Sequence, residues 1–278
     1  MKKIVIISML FCNMMLNAIP VPDDNIMFNA TSVPYDIDKI VSKSTAISKM
    51  PLVFFEGNIG AGKSTFLEIL RKYFPKLVLT LEPCDEWQDV DGFNLLQAFY
   101  QNPTAWALIF QIYASMTRLR KQEQEGKFAN RIQFMERSWW TDRNCFAQML
   151  RTSEKITALQ WKIYEQMWDW YMRNSDLPIA FIYLRVEPET CLERLKIRSR
   201  SEEVGITLDY LQALHNCHES LLISKTADIH IKNIPVLVLD GSLNFKDDEQ
   251  VQQDFVRQIL DFLKIHGNID LKDLCILQ

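Results

Sequence analysis

Residues 55–65 read FEGNIGAGKST (Phe55–Thr65). Within them Gly57-x-x-x-x-Gly62-Lys63-Ser64 is a complete phosphate-loop pattern. The glycines let backbone N–H groups converge on phosphate oxygens. Lys63 supplies a cation for the β- and γ-phosphates, and the Ser64 hydroxyl can ligate Mg²⁺. The apolar run Leu52–Phe55 before the loop and the helical-period stretch Ser64–Tyr73 after it are the strand and helix that the pattern requires. The expectation is a nucleoside triphosphate cradled by Gly57, Asn58, Ile59, Gly60, Ala61, Gly62, Lys63, Ser64 and Thr65. A switch, a motor and a kinase share such a loop, so the acceptor has to be read elsewhere.

Outward from the loop, short apolar runs recur at Leu52–Phe55, Leu77–Leu81, Ile132–Met135, Ile179–Leu184 and Val236–Leu239. Each is bounded by charge, Gly or Pro. Helical-period stretches separate them at Ser64–Tyr73, Leu95–Gln124, Asp142–Arg173, Pro188–Arg198 and Leu208–Ser224. Strands alternating with helices predict an α/β fold: a five-stranded parallel sheet covered by helices on both faces. Ligands of such sheets sit at the carboxyl ends of the strands, which directs attention to the charged residues that end each run.

The chain has 278 residues, 48% of them hydrophobic, with 31 basic and 35 acidic side chains for a net charge of −4. That balance gives no general attraction to nucleic acid or to an anionic membrane. The six cysteines (12, 84, 145, 191, 217 and 275) contain no C-x-x-C pair, which argues against a zinc ribbon or a disulfide framework. Lys2-Lys3 followed by the apolar run Ile4–Leu16, with Ala18 as a cleavage position, has the shape of a secretory signal, and the run is too short for a stable membrane span. Residues 1–18 therefore read as a signal or apolar leader, 19–50 as a polar linker, 51–265 as the main domain and 266–278 as a C-terminal tail. The five cysteines left after cleavage cannot all pair, which favours an intracellular setting and leaves the location open between the two arguments.

The strand-end residues form an ordered set. Leu81-Glu82-Pro83-x-x-Glu86-Trp87 ends the second run, and Met135-Glu136-Arg137-Ser138 with Thr141-Asp142-Arg143 ends the third. Arg194-x-x-x-Arg198-x-Arg200-Ser201-Glu202-Glu203 follows the fourth. Asn94-Leu95-Leu96 before Tyr100, Phe110-Gln111-x-Tyr113-Ala114 and His215-x-x-His218-Glu219 fall in the same order. From about Pro51 to Asp240 the chain resembles the deoxynucleoside kinase family, in its deoxycytidine/deoxyguanosine/deoxyadenosine kinase branch. The resemblance implies a phosphate-loop kinase with a helical lid, working in nucleotide salvage with ATP and Mg²⁺. It assigns the general base to Glu82, its partner to Arg137 and a Mg²⁺-holding acid to Glu136, together with Ser64. A carboxylate kept ionised by a guanidinium can accept the sugar hydroxyl's proton, while catalysis of a loose transition state is mainly positioning and charge stabilisation. Arg194, Arg198 and Arg200, with Lys63, become the cations around the transferred phosphoryl group.

The same resemblance places Tyr100 and Glu203 on the 3′-hydroxyl and makes Trp87, Phe110 and Phe146 the walls around the base. Gln111 becomes the amide that pairs with the base edge. Arg118 and Asp142 decide the branch, because thymidine-accepting relatives carry uncharged residues at both places. The stripe Tyr164, Met167, Trp168, Tyr171 reads as core by its spacing, while the family implies that such helices pair across a homodimer. Trp139-Trp140 and Leu221 depart from the pattern: the indoles either narrow the base pocket or pack beneath it. His215, Cys217 and His218 read as structural. Two rival readings are a nucleoside monophosphate kinase, which needs basic residues for an acceptor phosphate, and a catalytically degenerate secreted nucleotide-binding protein.

Overall fold

The computed structural model describes residues 51–74, 77–125, 132–173, 175 and 177–266. The leader (1–18) and linker (19–50), and all of the expected tail but His266, lie outside the described residues. Five strands, β1 (Leu52–Glu56), β2 (Val78–Thr80), β3 (Gln133–Glu136), β4 (Ala180–Arg185) and β5 (Val236–Asp240), form one sheet in the order β2-β3-β1-β4-β5. Every pairing is parallel, with Val53 between Phe134 of β3 and Ala180 of β4.

Alternation along the strands divides the core. Val53 and Phe55 of β1, Phe134 of β3, and Ala180, Ile182 and Leu184 of β4 face one layer. There they meet Phe66, Leu67 and Leu70 of α1 (Lys63–Tyr73) and Phe255 and Ile259 of α10 (Glu249–His266). Leu52, Phe54, Met135, Phe181 and Tyr183 face the other layer. That layer holds Trp139 and Trp140 of the short α5 (Trp139–Thr141), Trp168 and Tyr171 of α7 (Ala158–Arg173) and Leu214 of α9 (Leu208–His218). With both faces covered, all five β1 positions are buried, which is why the run Leu52–Phe55 is apolar throughout instead of alternating.

Three expected helices are interrupted. The stretch 95–124 is two helices, α3 (Leu95–Gln101) and α4 (Pro103–Glu125). Pro103 has no N–H and pushes Asn102 out of the helical region, to φ −143°. The stretch 142–173 opens as a π-helical turn (Asp142–Ala147), continues as α6 (Gln148–Thr152) and breaks where Glu154 has φ +59° before α7 begins. The stretch 208–224 ends in a second π-helical turn, Glu219–Ile223. Widened turns of this kind occur often beside functional sites, and Asp142 begins the first of them. The remaining helices are α2 (Cys84–Gln88) and α8 (Pro188–Arg198), the latter opened by proline at its first turn.

Candidate active site

The carboxyl ends of β1, β2 and β3 open into one cavity of about 380 Å³. Its lining includes Ile59, Gly60, Gly62, Lys63, Ser64 and Thr65 at one end and Glu82, Glu136 and Arg137 in the middle. Trp87, Tyr100, Phe110, Gln111, Arg118, Asp142 and Phe146 line the other end, and Arg198, Arg200 and Glu203 lie over it. Gly57, Asn58, Ala61 and Arg194 are outside the lining.

The loop between β1 and α1 presents the start of an eleven-residue helix to the cavity. Gly62 caps that helix at φ +96°, and a Cβ there would come within 2.9 Å of Phe245 Cζ, so the position calls for glycine on two grounds. Lys63 Nζ donates to Gly57 O at 3.2 Å and Asn58 O at 3.0 Å, which holds the ammonium inside the loop. Burial, with help from the charge of Arg137, lowers its pKa to about 8. Asn58 Nδ2 donates to Leu211 O at 2.8 Å and ties the loop to α9.

Ser64 Oγ donates to Glu136 Oε1 at 2.8 Å, and Glu136 Oε2 accepts from Glu82 N at 3.3 Å. A hydroxyl and a carboxylate side by side on the cavity wall are hard oxygen donors of the kind Mg²⁺ takes, and these two residues would hold it. Among the described residues no group of three or more His, Cys, Asp or Glu could hold a metal ion by itself.

Glu82 is clamped between two guanidiniums. Its Oε1 accepts from Arg137 Nε at 2.9 Å and from Arg118 Nη2 at 2.5 Å. Burial alone would raise this carboxyl, but Arg137 and Arg118 outweigh it and hold the pKa far below the usual carboxylate range. Among the described residues its other oxygen meets only the weak donor Cys84 Sγ, at 3.9 Å. That thiol is itself pushed up to about 12, chiefly by burial. Arg137 sits at φ +63°, a left-handed conformation that costs a bulky side chain of order 1–3 kcal/mol. Its N–H donates to Phe55 O at 2.8 Å, the next residue's N–H donates to Glu56 Oε1 at 2.9 Å, and Nη1 donates to Gly57 O at 3.2 Å. These bonds over-determine the turn and aim the guanidinium at Glu82.

Arg118 joins this cluster to the far end of the cavity. Its Nε donates to Asp142 Oδ2 at 2.8 Å, its Nη1 donates to Glu136 O at 3.0 Å, and its guanidinium carbon lies 5.3 Å from the centre of the Trp87 ring. Burial raises the pKa of Asp142, with the charge of Arg118 opposing. Next to the pair, Gln111 is buried and its Oε1 has no hydrogen-bond partner among the described residues. A buried carbonyl without a partner is costly, and this one lines a cavity where a ligand's N–H can satisfy it. Phe99 stacks on Phe110 at 4.7 Å, and Phe146 lies 4.7 Å from the Arg137 guanidinium carbon.

The lid residues divide. Arg198 holds both carboxylate oxygens of Glu203 at 2.6 Å, and Arg200 approaches the same group at 3.6 Å. Arg194 departs from the expectation of a phosphate-facing cation. Its Nη1 and Nη2 donate to Ala61 O and Gly241 O, each at 2.9 Å, so it fastens α8 to the phosphate loop and to the end of β5.

The family model described as "Deoxynucleoside kinase" matches residues 53–264. The chain belongs to the deoxynucleoside kinase family. It is 37% identical to deoxycytidine kinase 2 of Gallus gallus over 237 residues, 76% of this chain and 89% of that protein. It is 32% identical to the mitochondrial deoxyguanosine kinase of Xenopus laevis over 232 residues, 75% and 88% of the two chains. Mitochondrial thymidine kinase 2 of Homo sapiens is 36% identical over 194 residues, 69% and 71%. The protein is a deoxynucleoside kinase that uses a nucleotide phosphate donor such as ATP. Overall identity does not rank the bases, since relatives named for different nucleosides score alike.

Several cavity residues of the kinase were given no role from the sequence. Cys84, Leu96, Phe99, Ala114 and Tyr210 line it as well. Ala114 shares the α4 face of Phe110, Gln111 and Arg118 and was findable by helical spacing; Tyr210, on α9, was not. Trp139 and Trp140 pack beneath the sheet against Phe54, outside the cavity lining. Of the expected stripe, Tyr164, Trp168 and Tyr171 are buried core. His218 stacks on Tyr183, bonds Leu214 O at 2.7 Å, and is lowered by burial to about 3.

Proposed function

We propose that the kinase transfers the γ-phosphoryl group of ATP to the 5′-hydroxyl of deoxycytidine or a purine deoxynucleoside in preference to thymidine. The observation that carries the preference is the buried Arg118–Asp142 pair, 2.8 Å apart beside Gln111. Two charged side chains fill the space a 5-methyl group needs and present polar groups to an amino or keto substituent. Glu82 receives the hydroxyl proton at Oε2. So acidic a carboxyl is a weak base, but in a loose transition state the proton leaves late, and position counts for more than basicity. Arg137 and Lys63 stabilise charge on the transferred group, and Arg198 and Arg200 join them when Glu203 turns to the 3′-hydroxyl beside Tyr100. Ser64 and Glu136 would hold Mg²⁺, whose charge would help to neutralise the donor phosphates. The acceptor end offers an amide and aromatic rings, with Arg118 already engaged by two carboxylates, and this disfavours a monophosphate as acceptor.

The reading includes a homodimer. α4 packs on α7, and the pair exposes Trp106 (38%), Ile109 (49%), Met116 (46%), Leu159 (73%) and Ile163 (51%). Apolar residues spaced along two adjoining helices suit a second copy of the same surface. The domain is of intracellular type and carries an apolar leader; sequencing the mature N-terminus would separate export from retention. No described helix is long and apolar enough to cross a membrane. The decisive experiment for the substrate is steady-state transfer from ATP to each deoxynucleoside in turn. Thymidine kcat/KM equal to those of deoxycytidine and deoxyadenosine would refute the preference.

A further inference from the structure

Glu202 sits in the lid, in the one-turn 3-10 helix Ser201–Glu203, next to Glu203. Its Oε1 accepts from Asn94 Nδ2 at 2.9 Å and from Gln88 Nε2 at 2.9 Å, all three residues lying just outside the cavity lining. Gln88 adjoins Trp87 at the end of α2, and Asn94 caps α3, the helix that carries Tyr100. The Asn94 amide has no freedom to turn round: its Oδ1 accepts from Gln97 N at 2.8 Å, so the N–H₂ faces the lid. One asparagine thus ends a helix and holds a carboxylate from another part of the chain. Ser201 Oγ occupies Glu202 Oε2 at 3.1 Å, which orients the carboxylate for the two amides.

We propose that Asn94 and Gln88 are positioning residues that latch the lid, through Glu202, over the bound deoxynucleoside. The proposal rests on the reading of Tyr100 and Glu203 as the sugar-binding end. The wall that carries Trp87 and Tyr100 and the lid that carries Glu203 are separate in sequence. Glu202 is the ionised group that joins them, and two donors on one oxygen make the joint directional. Latching sets the distance between Tyr100 and Glu203, so it acts on retention of the nucleoside more than on the phosphoryl step.

Asn94→Asp separates the latch from the cap. Aspartate caps a helix as well as asparagine does, but it sets a carboxylate against Glu202. The expected result for Asn94→Asp is an unchanged thermal midpoint and a deoxynucleoside KM raised about 10- to 150-fold, as for loss of a hydrogen bond to a charged group. Turnover at saturation should change less. Asn94→Asp/Glu202→Gln should bring KM back towards the parent value, because the glutamine amide donates to the new carboxylate. An unmoved KM, a KM rise that the double variant does not reverse, or a fall in thermal midpoint that accounts for the change would each overturn the latch. Tyr100→Phe, measured in parallel, tests the reading beneath it. If Tyr100→Phe raises KM and Asn94→Asp does not, only the latch fails. If Tyr100→Phe leaves KM unmoved, the sugar-binding assignment fails and the latch with it.

Discussion

Arg118 donates to Glu82 at 2.5 Å while its Nε holds Asp142 at 2.8 Å. One guanidinium therefore serves the carboxylate at the reacting hydroxyl and the carboxylate at the base. Arg118→Met/Asp142→Ala should raise thymidine use relative to deoxycytidine, yet turnover with every nucleoside should fall, because Glu82 loses one of its two cations. A double variant that gains thymidine activity at full deoxycytidine turnover would show that the Glu82 contact is idle. The pH profile adds a check with a definite sign. Glu82 must be ionised, and its pKa in the free protein is depressed, so the acid limb of kcat/KM lies below the usual carboxylate range. Removing Arg118 lets burial reassert itself and moves that limb to higher pH.

Glu82→Gln keeps the shape of the site and removes the proton acceptor. ATP and deoxynucleoside binding should persist, while kcat falls about 10²- to 10⁴-fold, the usual effect of losing a general base. Turnover near the parent value would take Glu82 out of that role.

Lys63 loses its proton near pH 8 in the free protein, whereas bound phosphates would hold the proton on. Because kcat/KM reports the free enzyme and kcat the complex, kcat/KM for ATP should decline as pH rises through about 8, with kcat flat over the same interval. Parallel limbs in both parameters would contradict this.

Trp140 is fully buried beneath the sheet, with Trp168 and Phe181 edge-on to its ring. Trp140→Ala should cost about 3–5 kcal/mol in chemical denaturation and leave the ranking of nucleosides intact in whatever folded fraction remains. A changed ranking with unchanged stability would place the indole in the pocket after all.

Ile109→Asp and Ile163→Asp put charge on the exposed face shared by α4 and α7. Sedimentation should show a dimer for the parent chain and a monomer for the double variant. An unaltered sedimentation coefficient would remove this surface from the interface.

Much of the architecture was legible because the signals were local. Leu52–Phe55 and Ile179–Leu184 are apolar throughout, which reads as strands covered on both faces, and the loop glycines mark where the chain must turn. The motifs also named most of the cavity lining, since strand ends converge in a parallel sheet. What escaped was set by contacts between distant residues. Spacing puts Arg194 on the face of Arg198, but it cannot say that two carbonyls, Ala61 O and Gly241 O, would claim its guanidinium. The double duty of Arg118 depends on the approach of α4 to β2, and that of Asn94 on where the lid lies. The π-helical turn at Asp142 was hidden because one extra residue per turn leaves little trace in an apolar pattern. Pro103, by contrast, was a visible break in the stretch 95–124.

The two Arg194 bonds fix which part of the molecule can open. With its guanidinium on Ala61 O and Gly241 O, most of α8 is stapled to the sheet. The first left-handed residue downstream is Ser199, at φ +54°, and regular helix resumes after Thr207, whose Oγ1 accepts from Tyr210 N at 3.2 Å. Opening then involves only the short segment between them, pivoting about a serine. Lid opening takes microseconds to seconds, slower than the nanosecond-to-microsecond motion of an untethered loop. Each opening must break the Glu202 bonds to Asn94 and Gln88, so product departure would be paced by this short hinge together with the contacts that hold the nucleotide.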